Sequence, residues 1–423
     1  MIKTRKCSYR GKERIFEIEK EWLEENIKDQ EEMRTKITVV GTILDILRDD
    51  ADCRFDAIEG REFCIFHESD YWKDHEDEVR TAFLTEIKNG GKFIGAHIPI
   101  INITRVIEGE LNLSLTKVHG TFNANNIKFS TGAWFIGTTF NGRASFDKAT
   151  FNEVMFIGTT FNEEVSFDKA TFNGRASFDE TTFNEEVSFD KATFNGRTSF
   201  DKATFNENVS FDKATFNGRT SFDETTFDKA AWFDMAIFNG ATLFNNATFN
   251  KEALFLETKF NEQVSFNKTT FNDNALFYGV TFYDIAMFSK ATFYDVSFDK
   301  TKFNGAALFD EAIFNESDNV IYKALGESNV AYFNETIFVG RASFDRTIFN
   351  SAVSFDEATF NDRVSFARAE FRGASFDRTI FNSAVSFDEA TFNDRVSFAK
   401  TIFNKEPSFV DVKWKIIPDT NPE

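Results

Sequence analysis

From Phe129 to the last residues of the chain, phenylalanine recurs every five or six positions. Phe135, Phe140, Phe146, Phe151 and Phe156 open the run, and Phe161, Phe167, Phe172, Phe178, Phe183, Phe189, Phe194 and Phe200 continue it as a candidate core ladder. A residue repeated at that step walks around a helix of 3.6 residues per turn and makes no stripe. It does suit a two- or three-residue strand followed by a corner. A small or branched residue lies two before each ring and a hydroxyl residue just before it, so small residue and ring share one face while the hydroxyl takes the other. Asp, Asn and Gly after the ring favour a turn. The chain has 57 Phe among 423 residues. A surplus of one large apolar residue means that one core slot is copied many times.

The corner sequences set the period. Asn-Gly-Arg follows Phe172, Phe194 and Phe216, whereas Asn-Glu-Glu follows Phe183 and Asn-Glu-Asn follows Phe205. The full repeat is therefore about twenty-two residues: four strands and four corners in one square coil. Stacking at ~4.8 Å per coil puts Arg175, Arg197 and Arg219 in one column. It puts Glu163, Glu164, Glu185, Glu186 and Glu207 along another corner, an acidic candidate for binding a partner. Phe344–Ala367 recurs unchanged as Phe376–Ala399. That offset of thirty-two is not a multiple of the period, so the two copies are expected on different sides of the rod. A structural rod tolerates such a copy; an active site hardly could.

These units resemble the pentapeptide repeat family, in a Phe-centred variant with alternating five- and six-residue steps. The family pattern is Ala-(Asp/Asn)-(Leu/Phe)-x-x; here Ser or Thr precedes the Phe. The resemblance covers about two thirds of the chain. It implies a mostly β protein built as a right-handed quadrilateral β-helix. Because family members often dimerise through their C-terminal end, it also allows a homodimer. Some members resemble a B-DNA rod and bind type II topoisomerases such as gyrase.

Four segments are expected. Residues 1–92 do not repeat and read as a small α+β domain. Within it, Glu17–Arg34 and Asp77–Lys88 have helical character, the latter with Val79, Phe83, Leu84 and Ile87 inward, and the first half of Lys36–Leu47 reads as strand. Residues 93–128 carry aliphatic residues (Ile98, Ile103, Leu111, Leu113, Val118) at looser spacing, as irregular first coils. Residues 129–411 form the regular solenoid, with an insertion at 315–332. Residues 412–423 form a C-terminal cap or tail.

The N-terminal domain holds all three cysteines. Cys64-x-x-His67 has the spacing of a zinc knuckle; Cys53 lies about one hairpin upstream, and Cys7 is the candidate fourth ligand. Three thiolates and an imidazole suit one structural zinc and exclude calcium or magnesium. The same residues are also compatible with three buried thiols and a surface histidine.

The net charge of −20 argues against nucleic acid or an anionic membrane as a direct partner and permits a protein with a basic surface. No apolar run has the ~20 residues of a membrane helix. The basic Met1–Lys6 start lacks the apolar stretch of a secretory signal, and three cysteines fit a reducing compartment, so a cytoplasmic protein is expected. Four histidines, no nucleophile elbow and no P-loop leave an enzyme little to work with. A rigid scaffold or protein-binding module is the leading expectation. The alternatives are a DNA mimic that binds gyrase and a purely structural rod. The charge is thin for mimicry: roughly one net negative charge per ~4.8 Å coil, against one per ~1.7 Å of duplex DNA.

Overall fold

The computed structural model describes Ser8, Cys53 and residues 55–59, 61–315 and 330–415. Fifty short strands, most of two residues, account for nearly all regular structure among them. One coil shows the scheme. Thr171–Phe172 lies on a first face, Ala176–Ser177 on a second, Thr182–Phe183 on a third and Val187–Ser188 on a fourth. Thr193–Phe194 then pairs in parallel with Thr171–Phe172, and the next three strands likewise pair with their counterparts 22 residues before. The protein is thus a parallel β-solenoid with four ladders.

Two kinds of corner close the coil. After the second and fourth faces the chain makes a type II turn: the Ala192 N–H donates to the Phe189 carbonyl at 3.0 Å, and Lys191 takes φ +58°. Lys, Glu or Arg fills this left-handed position in most coils, at a local cost of roughly 1–2 kcal/mol. After the first and third faces the step from one Phe to the next is six residues instead of five, and the corner holds a column of asparagines. Asn217 Nδ2 donates to Asn195 Oδ1 at 2.8 Å, and Asn239 repeats the bond to Asn217 at 2.7 Å. At Gly196 a Cβ would lie 2.3 Å from the Gly174 carbonyl oxygen, so only glycine lets adjacent coils pass this closely. Where the corner loses a residue, as between Phe151 and Phe156, Thr150–Met155 runs straight through it as one strand.

Inside, the rings stack coil on coil. Phe189 lies 4.8 Å from Phe167 and 4.9 Å from Phe211, each pair within 2° of parallel. It also meets Phe178 and Phe200 of the second face edge-on at 5.4 Å. Phe161, Phe167, Phe172, Phe178, Phe183, Phe189, Phe194 and Phe200 are all buried. Burying each ring stabilises by about 1.5–3 kcal/mol, and ring pairs add about 0.5–1.5 kcal/mol. Outside the rings, polar groups bond along the axis. Ser188 donates its hydroxyl to Asp168 of the coil below, and Ser210 to Asp190. Buried threonines at the turn donate to phenylalanine carbonyls of the preceding coil, as Thr181 does to Phe156 at 2.7 Å.

The ladder begins at Gly91–Lys92, paired with Leu111–Asn112, so the aliphatic coils stack in the same ladders but with offsets of 20 and 21 residues. Ile98, Ile103, Leu111, Leu113 and Val118 are buried. The expected helix spans Glu76–Glu86 and buries Val79 and Phe83; Ile87 just beyond is buried too, and Leu84 is half-buried. The expectations for Glu17–Arg34 and Lys36–Leu47 lie outside the described residues. So do residues 316–329 of the insertion; on its flanks Asn315 accepts from Asn350 Nδ2 and Val330–Tyr332 pairs with Ala352–Ser354, both within the ladders. At the other end Lys413–Trp414 pairs with Thr391–Phe392, and the Trp414 ring stacks on Phe392 at 4.6 Å. Of the two identical copies, Phe344 stacks in the second-face column on Phe366 and Phe376 in the fourth-face column on Phe398.

Candidate functional site

The first coil ends in an open ring, Phe93, and the preceding segment closes it. Phe66 meets Phe93 edge-on at 5.2 Å, Phe83 at 4.7 Å and Phe55 at 6.0 Å. The loop carrying Phe66 must hold one shape for this, and Cys53, Cys64 and His67 lie at its root. After Cys64 the chain turns sharply, with the His67 and Glu68 N–H groups both donating to the Cys64 carbonyl at 3.0 Å. That turn brings His67 Nδ1 to 3.2 Å from Cys64 Sγ. Cys53 Sγ is 3.6 Å from Cys64 Sγ, too far for a disulfide and apt for two ligands of one ion. The three ligand atoms lie within 4.8 Å of one another, and Cys64 is buried.

The tautomer follows from the far side of the ring. His67 Nε2 lies 2.9 Å from the Ile94 carbonyl oxygen. A carbonyl only accepts, so Nε2 carries the proton and Nδ1 presents its lone pair to the sulfurs. This is the outer support that metal-binding histidines use. The hydrogen bond from Cys53 is the largest cause that pulls the Cys64 thiol down to about 4, against the opposing effect of burial. Two sulfurs and one imidazole nitrogen in this geometry can hold a soft divalent metal such as zinc. Cys7 lies outside the described residues. Its neighbour Ser8 donates its N–H to the Glu62 carbonyl at 2.9 Å.

A second histidine pair joins the same closing segment to the rod. His97 Nδ1 and His119 Nε2 are 3.0 Å apart on adjacent coils, and the Trp72 ring stacks on His119 at 4.0 Å. Burial, then the charges of His97, Lys117 and Lys73, push His119 down to about 4. Sequence reasoning passed over this pair; His97 is in register with Lys117, and His119 lies two residues beyond it on the same face.

Of the acidic corner, Glu163, Glu164, Glu185 and Glu186 are exposed and Glu207 is half-buried. Glu164 and Glu186 stand in one column with Asn208, their carbonyls taking the N–H groups of Ala144, Val165 and Val187. Arg143 is ion-paired with Glu164. Arg175, Arg197 and Arg219 form the matching column at the corner before the second face. The sequence reading missed one departure on the fourth face. The outward position there is Ser166, Ser188 and Ser210, then Trp232, Leu254 and Leu276. Three apolar residues 22 apart, where the repeat calls for serine, were the signal.

A family profile described as pentapeptide repeats, nine copies, matches residues 124–171, 156–204, 200–248, 244–292 and 366–413, about half of the chain. The chain belongs to the pentapeptide repeat family. The crystal structure of HetL, a pentapeptide repeat protein involved in heterocyst differentiation regulation in the cyanobacterium Nostoc, is 11% identical to this pentapeptide repeat protein. The likeness covers 59% of this chain and 92% of that one, with a TM-score of 0.19. No curated protein matches the chain. Among the described residues no helix is long and apolar enough to cross a membrane.

Proposed function

We propose that this pentapeptide repeat protein is a rigid, non-enzymatic scaffold that binds another protein along its side. The observation that carries the reading is the contrast between inside and outside. From Phe129 to Phe314 the core repeats one ring in every slot, whereas the outward columns change along the rod, from serine to large apolar residues and from arginine at one corner to glutamate at another. A rod needs no such variation to stand; a surface that reads a partner does. The acidic corner suits a basic partner. Ion pairs between coils, such as Lys202 with Glu224 and Lys290 with Glu311, thin the surface field and disfavour the gyrase-binding reading.

In the same reading, Cys53, Cys64 and His67 hold one structural zinc, with Cys7 as the fourth ligand. Support for Cys7 comes from Ser8, whose backbone bond to Glu62 lies two residues from Cys64. The metal would lock the loop that carries Phe66 over the first coil.

A photoreactive residue introduced at Glu185, or at the exposed Glu262 on another corner, tests the scaffold in native extract. The reading expects a discrete protein adduct from at least one corner, weakened by salt at Glu185. No discrete adduct from either corner would sink it.

A further inference from the structure

The fourth face carries two features side by side. Over the coils of Glu164, Glu186 and Asn208 it forms a shallow groove of about 410 Å³ lined by Glu164, Glu186, Asp190 and Asp212 and by Arg143, which is paired with Glu164, with Trp232 at one end. From Trp232 to Leu276 the outward row is apolar before serine returns at Ser297: Trp232 pairs with Leu254, and Leu254 with Leu276. The neighbouring column changes in step. Asp190, Asp212 and Asp234 give way to Leu256 and Tyr278, in successive coils joined by the N–H groups of Lys191, Lys213, Met235 and Glu257. Beside the half-buried Trp232, Leu254 and Leu276, Tyr278 is 42% exposed and Met235 47%.

The apolar row departs from the ladder's pattern, although Asp212 still takes the Asp234 N–H at 3.1 Å. In the ordinary coil a serine reaches back to the aspartate below, as Ser210 does to Asp190. Trp232 occupies that serine's place above Asp212 and supplies no hydroxyl to it. Burial, and then the charges of Asp234 and Asp190, hold the Asp212 carboxyl above the usual aspartate range. Local stability is given up here in two ways, as expected where a surface is kept for binding. From the Glu186 coil to the Leu276 coil the face runs four steps, or ~19 Å, about the length of six residues of extended chain.

We propose that the fourth face between Glu164 and Tyr278 docks an extended segment of a protein partner, its Lys or Arg side chains seated in the acidic groove and its apolar side chains on Trp232, Leu254 and Leu276. The assignment rests on the protein-binding reading and gives it a place and a partner chemistry. Charge complementarity selects the basic end, and the apolar row fixes register.

The probe is a fluorescein-labelled peptide of three lysines followed by three leucines in extended-favouring valine and threonine context, titrated into the full chain and read by anisotropy. An all-lysine peptide of equal length is the comparison. Two double variants are used. Trp232→Ser with Leu254→Ser restores the residue that the ladder uses elsewhere, and Glu186→Gln with Asp212→Asn removes charge while keeping shape. The expected result is binding by the wild type that each double variant weakens by roughly tenfold or more, with thermal unfolding unchanged or raised. The all-lysine peptide should bind less tightly and ignore the serine variants. No wild-type binding, or equal binding by both variants, overturns the site. A wild-type dimer in sedimentation that the serine variants dissociate would give this face to a second copy of the chain and also overturn it. Adducts still formed at Glu185 or Glu262 by the serine and charge variants would leave the scaffold reading standing while this site falls.

Discussion

His67 Nε2 sits 2.9 Å from the carbonyl oxygen of Ile94, so the imidazole that faces Cys53 and Cys64 on one side is anchored to the first coil on the other. Any ion held by Nδ1 is thereby tied to the rod and not only to its own loop. We expect purified protein to carry one equivalent of zinc per chain by elemental analysis. Cys64→Ser should lose it. Chelation should raise hydrogen exchange in residues 61–94 and leave exchange around Phe189 unchanged. Retention of full zinc by Cys64→Ser would remove the metal centre.

The ring stack predicts a local defect. Phe189→Ala removes a ring that touches Phe167, Phe178, Phe200 and Phe211, and should destabilise by about 3–5 kcal/mol. Phe189→Leu should cost less than half of that. Because each coil contacts only its neighbours, exchange protection should fall in the flanking coils and persist near Phe93 and Phe360. Uniform loss along the chain would contradict the one-dimensional picture.

The aspartate columns set a pH dependence. Burial raises the carboxyls of Asp212, Asp223 and Asp234 above 3.8. A carboxyl whose pKa is higher in the fold than in the unfolded chain contributes stability that is complete below the unfolded value and lost as pH rises through the folded one. Asp212→Asn should therefore raise the urea midpoint at pH 7, and the difference should vanish by about pH 4. Asparagine is already accepted in such a column: Asn245 receives the Ser265 hydroxyl and Asn267 the Ser289 N–H. A destabilised Asp212→Asn at pH 7 would show that the carboxylate charge is needed.

His119 titrates in the opposite sense. Its pKa falls from 6.5 to about 4 in the fold, so its contribution is complete above 6.5 and is lost as pH falls through the folded value. Below pH 6 the segment Tyr71–Glu86, held by Trp72 on the His119 ring, should show faster exchange than the coils around Phe189. His119→Phe should remove that difference while keeping the stacking. Acid-insensitive exchange in the wild type would detach Trp72 from the titration.

Turn chemistry predicts which deletions fold. Removing residues 190–211, one coil, should leave a cooperative β-rich protein with ladders of the same kind. Removing the six residues 184–189 should not. It shifts every later strand by one face and sets left-handed lysine turns against the longer asparagine corners. Equal stability of the two deletions by circular dichroism melting would show that the corners are interchangeable.

The solenoid could be read from the chain because from Phe129 onward unit after unit of five or six residues states the same rule: one inward Phe, one small residue before it, one turn after it. Even the opposite placement of the copies at Phe344 and Phe376 follows from counting residues. Cys64 and His67 were legible for a similar reason, since a three-residue step across a turn brings side chains together wherever it occurs. What resisted reading depends on contacts between distant, unrepeated residues. The closing of Phe93 by Phe55, Phe66 and Phe83 is fixed by shape, and no periodicity announces it. His97 and His119 were hidden because their partner, Trp72, belongs to the non-repeating segment. Trp232, Leu254 and Leu276 were visible as letters, but they gain meaning only when the coils are stacked and the three fall on one line.

The block Phe344–Ala367 and its copy Phe376–Ala399 occupy opposite sides of the same rod without changing a residue. Opposite faces are therefore equivalent to the chain, and length can change in half-coil increments. A duplication or loss of about eleven or thirty-two residues leaves every ring with a ring above and below. It also rotates all that follows by half a turn. A short recombination event could thus move the C-terminal coils to the other side of a bound partner in one step, with no intermediate that fails to fold.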